Sequence, residues 1–141
     1  MRKEITDIIA AYKLITLGNK KAFEIAEKEI PPDEKIIYIG PSNMTVTLRN
    51  TDKPKMRSGV IAITNRNIYI IHKTLLESSV DIFSVAELEL VSYKHNGLTG
   101  ATFCLTLSSV FISFLASYKK EYIERLNKIL CTLIPPKTVT D

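Results

Sequence analysis

No tryptophan occurs among these 141 residues, and only two are cysteine, five glycine and six proline. Two cysteines cannot staple a disulfide scaffold, and they lack the CxxC or Cys/His spacing of a zinc site. Cys104 and Cys131 stand on apolar stretches and read as buried free thiols of a reducing compartment. So little glycine and proline excludes collagen-like and low-complexity chains. The longest apolar-rich run, residues 101–116 (ATFCLTLSSVFISFLA), is too short and too interrupted to cross a bilayer as a helix. The start, MRKEITDI, reaches Glu4 and Asp7 before any apolar stretch, unlike a secretory signal. These absences predict a cytoplasmic protein, with peripheral attachment at the inner membrane face as the variant.

Charge of one sign is also scarce. The net charge is +4, and its distribution matters more than its size. Residues 31–73 carry seven cationic side chains against three anionic, whereas residues 74–115 carry one against four. A nucleic-acid binder more often shows a continuous basic stripe interleaved with aromatics, so no nucleic-acid partner is expected. Gly-rich phosphate loops, GxSxG and HExxH are missing too, and the reading is non-enzymatic with no cofactor or metal. What is present, 45% hydrophobic and 24% charged residues, suffices for one packed domain.

The first thirty residues have helical periodicity. Ile5, Ile8, Ile9, Tyr12 and Ile15 share one stripe, Gly18 is the expected left-handed stop, and Asn19 the expected cap of a second helix. Ala22, Phe23, Ala26 and Ile30 form that helix's apolar face, ended by Pro31-Pro32. The period then becomes two. Strands are expected at 35–39, halted or kinked at Gly40-Pro41, and at 44–49, 59–64, 67–73, 79–83, 88–95, 101–107 and 110–115. Residues 50–57 read as a polar loop, Asn65 as a left-handed turn residue, Ser84–Glu87 as a helical corner, and Asn96-Gly97 as a hairpin signal. A final helix is expected after an N-cap at Ser117, with Tyr118, Tyr122, Ile123, Leu126, Ile129 and Leu130 on its apolar face.

About seven short strands leave two edges and one apolar face to cover. Rolling them into a partly open antiparallel β-barrel closed by the amphipathic C-terminal helix solves both problems, giving an α+β fold with an N-terminal helical hairpin. The expected division is 1–32 for the hairpin, 33–131 for the barrel domain and 132–141 for a flexible tail.

Particular residues carry a resemblance. Glu34-Lys35-Ile36-Ile37-Tyr38 and the run from Ser58 through Thr64-Asn65-Arg66-Asn67 to Ile70 are similar to the bacterial PH-like families, as are Ile82–Leu88 and Phe111–Phe114. Those families read "E-x-h-h-Y" and "G-x-h-x-h-T-N-x-R-h-h-h", with h apolar. The YokE-type bacterial PH domain is the nearest, and GRAM-like domains are relatives. Two departures stand out: Asn67 occupies a position often basic there, and the hairpin lies outside the pattern. The resemblance implies a PH-like fold and a binding module.

Four candidate features follow. In an extended chain Lys53, Lys55 and Arg57 point to one side, a cationic comb suited to phosphate or anionic lipid; solvation of a charged loop, with Asp52 beside it, is the plainer reading. Glu87 and Glu89, with Asp81 near, are a carboxylate group whose plainer reading is surface solvation. His72 and His95 read as isolated surface or strand-end histidines. The stripe on the first helix is expected to pack on its own barrel or on a second copy rather than on a membrane. The favoured function is protein–protein scaffolding with an unidentified partner and homo-oligomerisation as an option. The alternatives are an anionic-lipid or phosphate module working through residues 53–57, and a small-ligand carrier or enzyme with a cavity between helices and barrel.

Overall fold

A computed structural model describes residues 1–97 and 100–136. Helices α1 (Lys3–Tyr12) and α2 (Lys20–Glu29) precede seven strands: β1 (Ile36–Leu48), β2 (Pro54–Thr64), β3 (Asn67–Lys73), β4 (Ser78–Ser84), β5 (Leu88–His95), β6 (Ala101–Leu107) and β7 (Val110–Ala116). Helix α3 (Lys120–Cys131) follows. The strands form one antiparallel sheet in the order β4-β3-β2-β1-β7-β6-β5. β1 pairs with β2 along almost its whole length but with β7 only through Met44–Leu48, so both halves of the sheet hinge on this strand.

Period-two alternation sends one set of side chains inward from both halves. Ile61, Ile63, Ile68 and Ile70 meet Phe103, Leu105, Ile112 and Phe114 in one core. Phe103 and Phe114 are register partners whose rings stack 5.2 Å apart. Ile123, Leu126 and Leu130 of α3 join this core and are buried. The opposite face of β1–β3 carries Ile39, Val60, Ala62, Tyr69 and Ile71, and the hairpin covers it with Ile5, Ala22, Phe23 and Ala26. The hairpin therefore packs on its own barrel, and the side chains at that contact are close to fully buried. The fold is the predicted α+β, half-open barrel with a helical stopper.

Several local expectations are corrected. α1 stops at Tyr12 because Lys13, at φ 52°, already takes the left-handed cap position; Gly18 is left-handed (φ 84°) but lies in the connection beyond it. Ile15 is consequently 77% exposed, off the stripe. Asn19 stands at the N-cap of α2 without a side-chain cap bond. β1 runs straight through Gly40-Pro41. There β1 has β2 on one flank only, since β7 first pairs at Met44, so the missing proline N–H on the free flank removes no ladder bond. Gly40 is needed because a Cβ would strike the Tyr38 hydroxyl.

Residues 54–57 belong to β2 rather than to a loop. Asn65 is not left-handed: its side-chain carbonyl accepts the Lys35 N–H at 2.9 Å, closing the turn from outside. Ser117 does not cap α3, which begins further on, at an N-cap position held by Lys119. The cysteines are free, but Cys104 is only half-buried and Cys131 is exposed. The helical corner is a single 3-10 turn, Val85–Glu87, capped by the Ser84 hydroxyl. Of the NGLTG turn, residues 98 and 99 fall outside the described residues, as do 137–141 of the tail; Leu133 and Ile134 pack partly buried against the core.

Candidate functional site

Two members of the cationic comb, Lys55 and Arg57, sit on the inner face of the sheet. Arg57 stands opposite Met44 and Lys55 opposite Val46, so both continue the inward row of Ile61 and Ile63. Lys53 lies just before β2, after the tight turn in which Asp52 has φ 53°. Lys53 and Lys55 are exposed. Arg57 is held more closely: its Nη1 donates to the Met56 carbonyl at 3.1 Å, and its Nε lies 3.8 Å from the Asp81 carboxylate across the sheet. Among the described residues that buried Nε has no hydrogen-bond partner. Lys55 and Arg57 thus share a side, with Asp81 as a competing anion for Arg57.

Beside the comb, His72 is 7% exposed and so is not a surface histidine. Its Nδ1 accepts the Ser58 N–H at 2.9 Å, which assigns the proton to Nε2, 3.0 Å from Glu77. Gly59 makes this contact reachable, because a Cβ there would collide with the Ile71 carbonyl. His95 is exposed at the end of β5, edge-on to Tyr93. The carboxylates read as a group have separate partners. Glu87 accepts from the Ser108 and Ser109 hydroxyls at 2.6 and 3.0 Å, and these bonds hold its carboxyl below the usual range. Glu89 faces Arg49 at 3.7 Å.

One functional-looking group escaped the sequence reading. Glu34, 3% exposed, accepts from the Thr64 hydroxyl (2.6 Å), the Tyr69 hydroxyl (2.8 Å) and the Asn67 amide (3.2 Å). Burial alone would push its carboxyl up, but these three bonds and the nearby Arg66 charge outweigh burial and hold it low. Burial and the Glu34 bond together raise the Tyr69 phenol to about 12. The "E…T-N-x-R" pattern is therefore a buried clasp joining the start of β1 to the β2–β3 turn. The signal was available: a glutamate at a fixed place before a strand, with a threonine and a tyrosine further on. A second polar seam joins the N-terminal hairpin to α3. The Tyr38 and Tyr118 hydroxyls hydrogen-bond, and burial drives both phenols upward, Tyr118 to about 12. The Arg125 guanidinium lies over the rings of Tyr12 (5.1 Å) and Tyr122 (4.9 Å).

The remaining accessible features are edges and rims. Among the described residues β4 and β5 end the sheet, each with a strand on one side only. A concavity of about 450 Å³ lies along β5, lined by Leu88, Glu89, Leu90 and Thr106 with Ile134 and Pro135 beyond α3. Leu90 is 54% exposed at its rim.

Comparison with solved structures bears on this architecture. The N-terminal PH domain of Vps36 superimposes with a TM-score of 0.50 at 18% identity, covering 74% of this chain and 84% of that one. The fold is PH-like. The DH/PH domains of p115-RhoGEF (TM-score 0.45, 8% identity, covering 94% of this chain and 39% of that one) and Vav1 in an inhibited form (0.49, 9%, 94% and 34%) are more distant. No family model and no curated protein matches the sequence. Within this PH-like fold, the comb occupies the β1–β2 region, and α3 is the stopper that the sequence predicted. Among the described residues no helix is long and apolar enough to cross a membrane.

Proposed function

We propose that this chain is a non-catalytic, protein-docking module of the YokE-type bacterial PH-like class, built on residues 33–131, that captures an extended segment along β5. The observation that carries this reading is the β5 flank. Among the described residues it is a sheet edge with an exposed Leu90, beside a concavity walled by Ile134 and Pro135. Backbone pairing along such an edge supplies affinity, and alternate side-chain pockets supply selectivity. Supporting the non-catalytic part, Asp81, Glu87 and Glu89 are each engaged by an arginine or by serine hydroxyls.

The test is selection from a displayed library of random peptides, followed by amide chemical-shift mapping. Selected peptides shift amides of β5, and Leu90→Asp abolishes binding without changing the melt. Shifts confined to another face, or no selectable peptide, would refute it. A second reading, phosphate or anionic-lipid binding by Lys53, Lys55 and Arg57, is favoured by the Arg57 Nε, which among the described residues has no hydrogen-bond partner and stands near two exposed lysines.

A further inference from the structure

The outward surface of the sheet has two halves, and among the described residues only one of them is covered. The hairpin packs on the outward side of β1–β3. On the other half, the outward residues of β6 and β7 carry no charge: Thr102, Cys104 and Thr106, then Phe111, Ser113 and Leu115. Register extends this surface over five strands, since Ser92, Cys104, Ser113, Thr45 and Met56 stand in one row. Leu90, Thr106, Phe111 and Thr47 form the row beside it. The Thr45 hydroxyl donates to the Met56 sulfur at 3.5 Å, so both lie on the same side. Met56 is 69% exposed, Leu90 54%, Leu115 41% and Phe111 36%, and none of them belongs to either buried core. One exposed apolar residue is ordinary on a surface, but the solvated side of an antiparallel sheet is usually polar, and a contiguous apolar patch marks a contact. Charge stands only at the rim. Arg49 lies over the Phe111 ring, Glu89 is 3.7 Å from Arg49, beyond hydrogen-bond length, and Lys94 is near the far end of β5.

We propose that this face is the interface of a twofold dimer, a second copy of the chain packing the same surface against it. Size permits it. Five strands about 4.8 Å apart, with three outward residues each, give a footprint of roughly 24 by 20 Å. Two such faces bury about 1,000 Å² or somewhat more together, the lower range for a specific pair. Charge selects the copy and its orientation. With β5 of one copy antiparallel to β5 of the other, the axis follows the middle row, and Lys94 of each copy meets Glu89 of the other. The uncharged rows then close on one another as aligned sheets do. A membrane or a nucleic acid gains nothing from a face whose centre holds no cation. The inference does not rest on the protein-docking reading. The β5 backbone edge stays open, and a dimer offers two such edges, so a partner with two segments is held more tightly.

Sedimentation velocity over a concentration series reads the self-affinity of the full chain. Phe111→Lys/Leu115→Lys is expected to lower it about tenfold or more, and Lys94→Glu or Glu89→Lys alone about fivefold. Mixing these two single variants restores it, because each copy then meets the opposite charge. Cys131→Ser leaves Cys104 as the single thiol, and the dimer sets its two copies across the axis. A bismaleimide spanning about 10 Å, the separation of packed sheets, should then give covalent dimer. The substituted side chains are exposed, and circular-dichroism melts verify that each variant folds. Leu90 is left unchanged because the docking reading uses it. A chain that stays monomeric up to about 1 mM overturns the proposal. So does undiminished association of Phe111→Lys/Leu115→Lys, a mixture no stronger than its parts, or a dimer that does not cross-link through Cys104. Failure of peptide selection with the dimer intact refutes the docking reading alone.

Discussion

Replacing Glu34 by alanine should be among the most damaging changes to this fold, although a glutamate two residues ahead of a strand reads as an ordinary surface residue. The carboxylate is 3% exposed and takes three donors, from Thr64, Asn67 and Tyr69. A hydrogen bond to a charged group contributes about 1.5–3 kcal/mol. Three would sum to roughly twice what is expected, because removing the charge also relieves its own desolvation. A net loss of about 3–5 kcal/mol follows, with the buried Tyr69 hydroxyl losing its Glu34 partner. Glu34→Gln keeps one acceptor oxygen in place and should cost about 1–2 kcal/mol.

The pH dependence separates these cases. The folded carboxyl titrates lower than an unfolded glutamate, so its contribution is fully present above the unfolded value and drains away as pH falls through the folded one. Urea unfolding from neutral pH down through the carboxylate range should show a steeper acid loss for the native sequence than for Glu34→Gln. Identical acid limbs, or a loss under about 1 kcal/mol in Glu34→Ala, would refute the clasp.

Phe23→Ala opens the contact between hairpin and sheet and should cost about 3–5 kcal/mol in urea unfolding. Deleting residues 1–32 bares Ile39, Val60, Ala62, Tyr69 and Ile71, so the truncated chain should self-associate in light scattering; a soluble monomer would show that 33–131 stands alone. Gly59→Ala drives a methyl into the Ile71 carbonyl beside the His72 contact, and thermal melts should record a loss of about 1–3 kcal/mol. Arg125→Ala removes the guanidinium from the Tyr12 and Tyr122 rings, for about 0.5–2 kcal/mol, and amide exchange should quicken in α1.

The order of elements was legible from the chain alone because it depends on periodicity. The stripe at three and four residues marks α2 and α3, and alternation marks all seven strands, the paired halves of the core following from which residues alternate. The half-open barrel follows from the same arithmetic of strands, edges and one closing amphipathic helix, while its PH-like character was what the motif resemblance implied. Local propensity misled where neighbours far along the chain take over. Gly40-Pro41 looks like a break, yet β2 carries β1 past it. Asn65 looks left-handed, yet its side chain serves Lys35 instead.

The His72 contact and the enclosure of Glu34 could not be read in advance, since their members stand far apart along the sequence. Period and composition describe what each residue prefers among its near neighbours. Which side chains end as neighbours, and whether a glutamate is solvated or enclosed, is settled only when the strands take their register and the hairpin closes over one face.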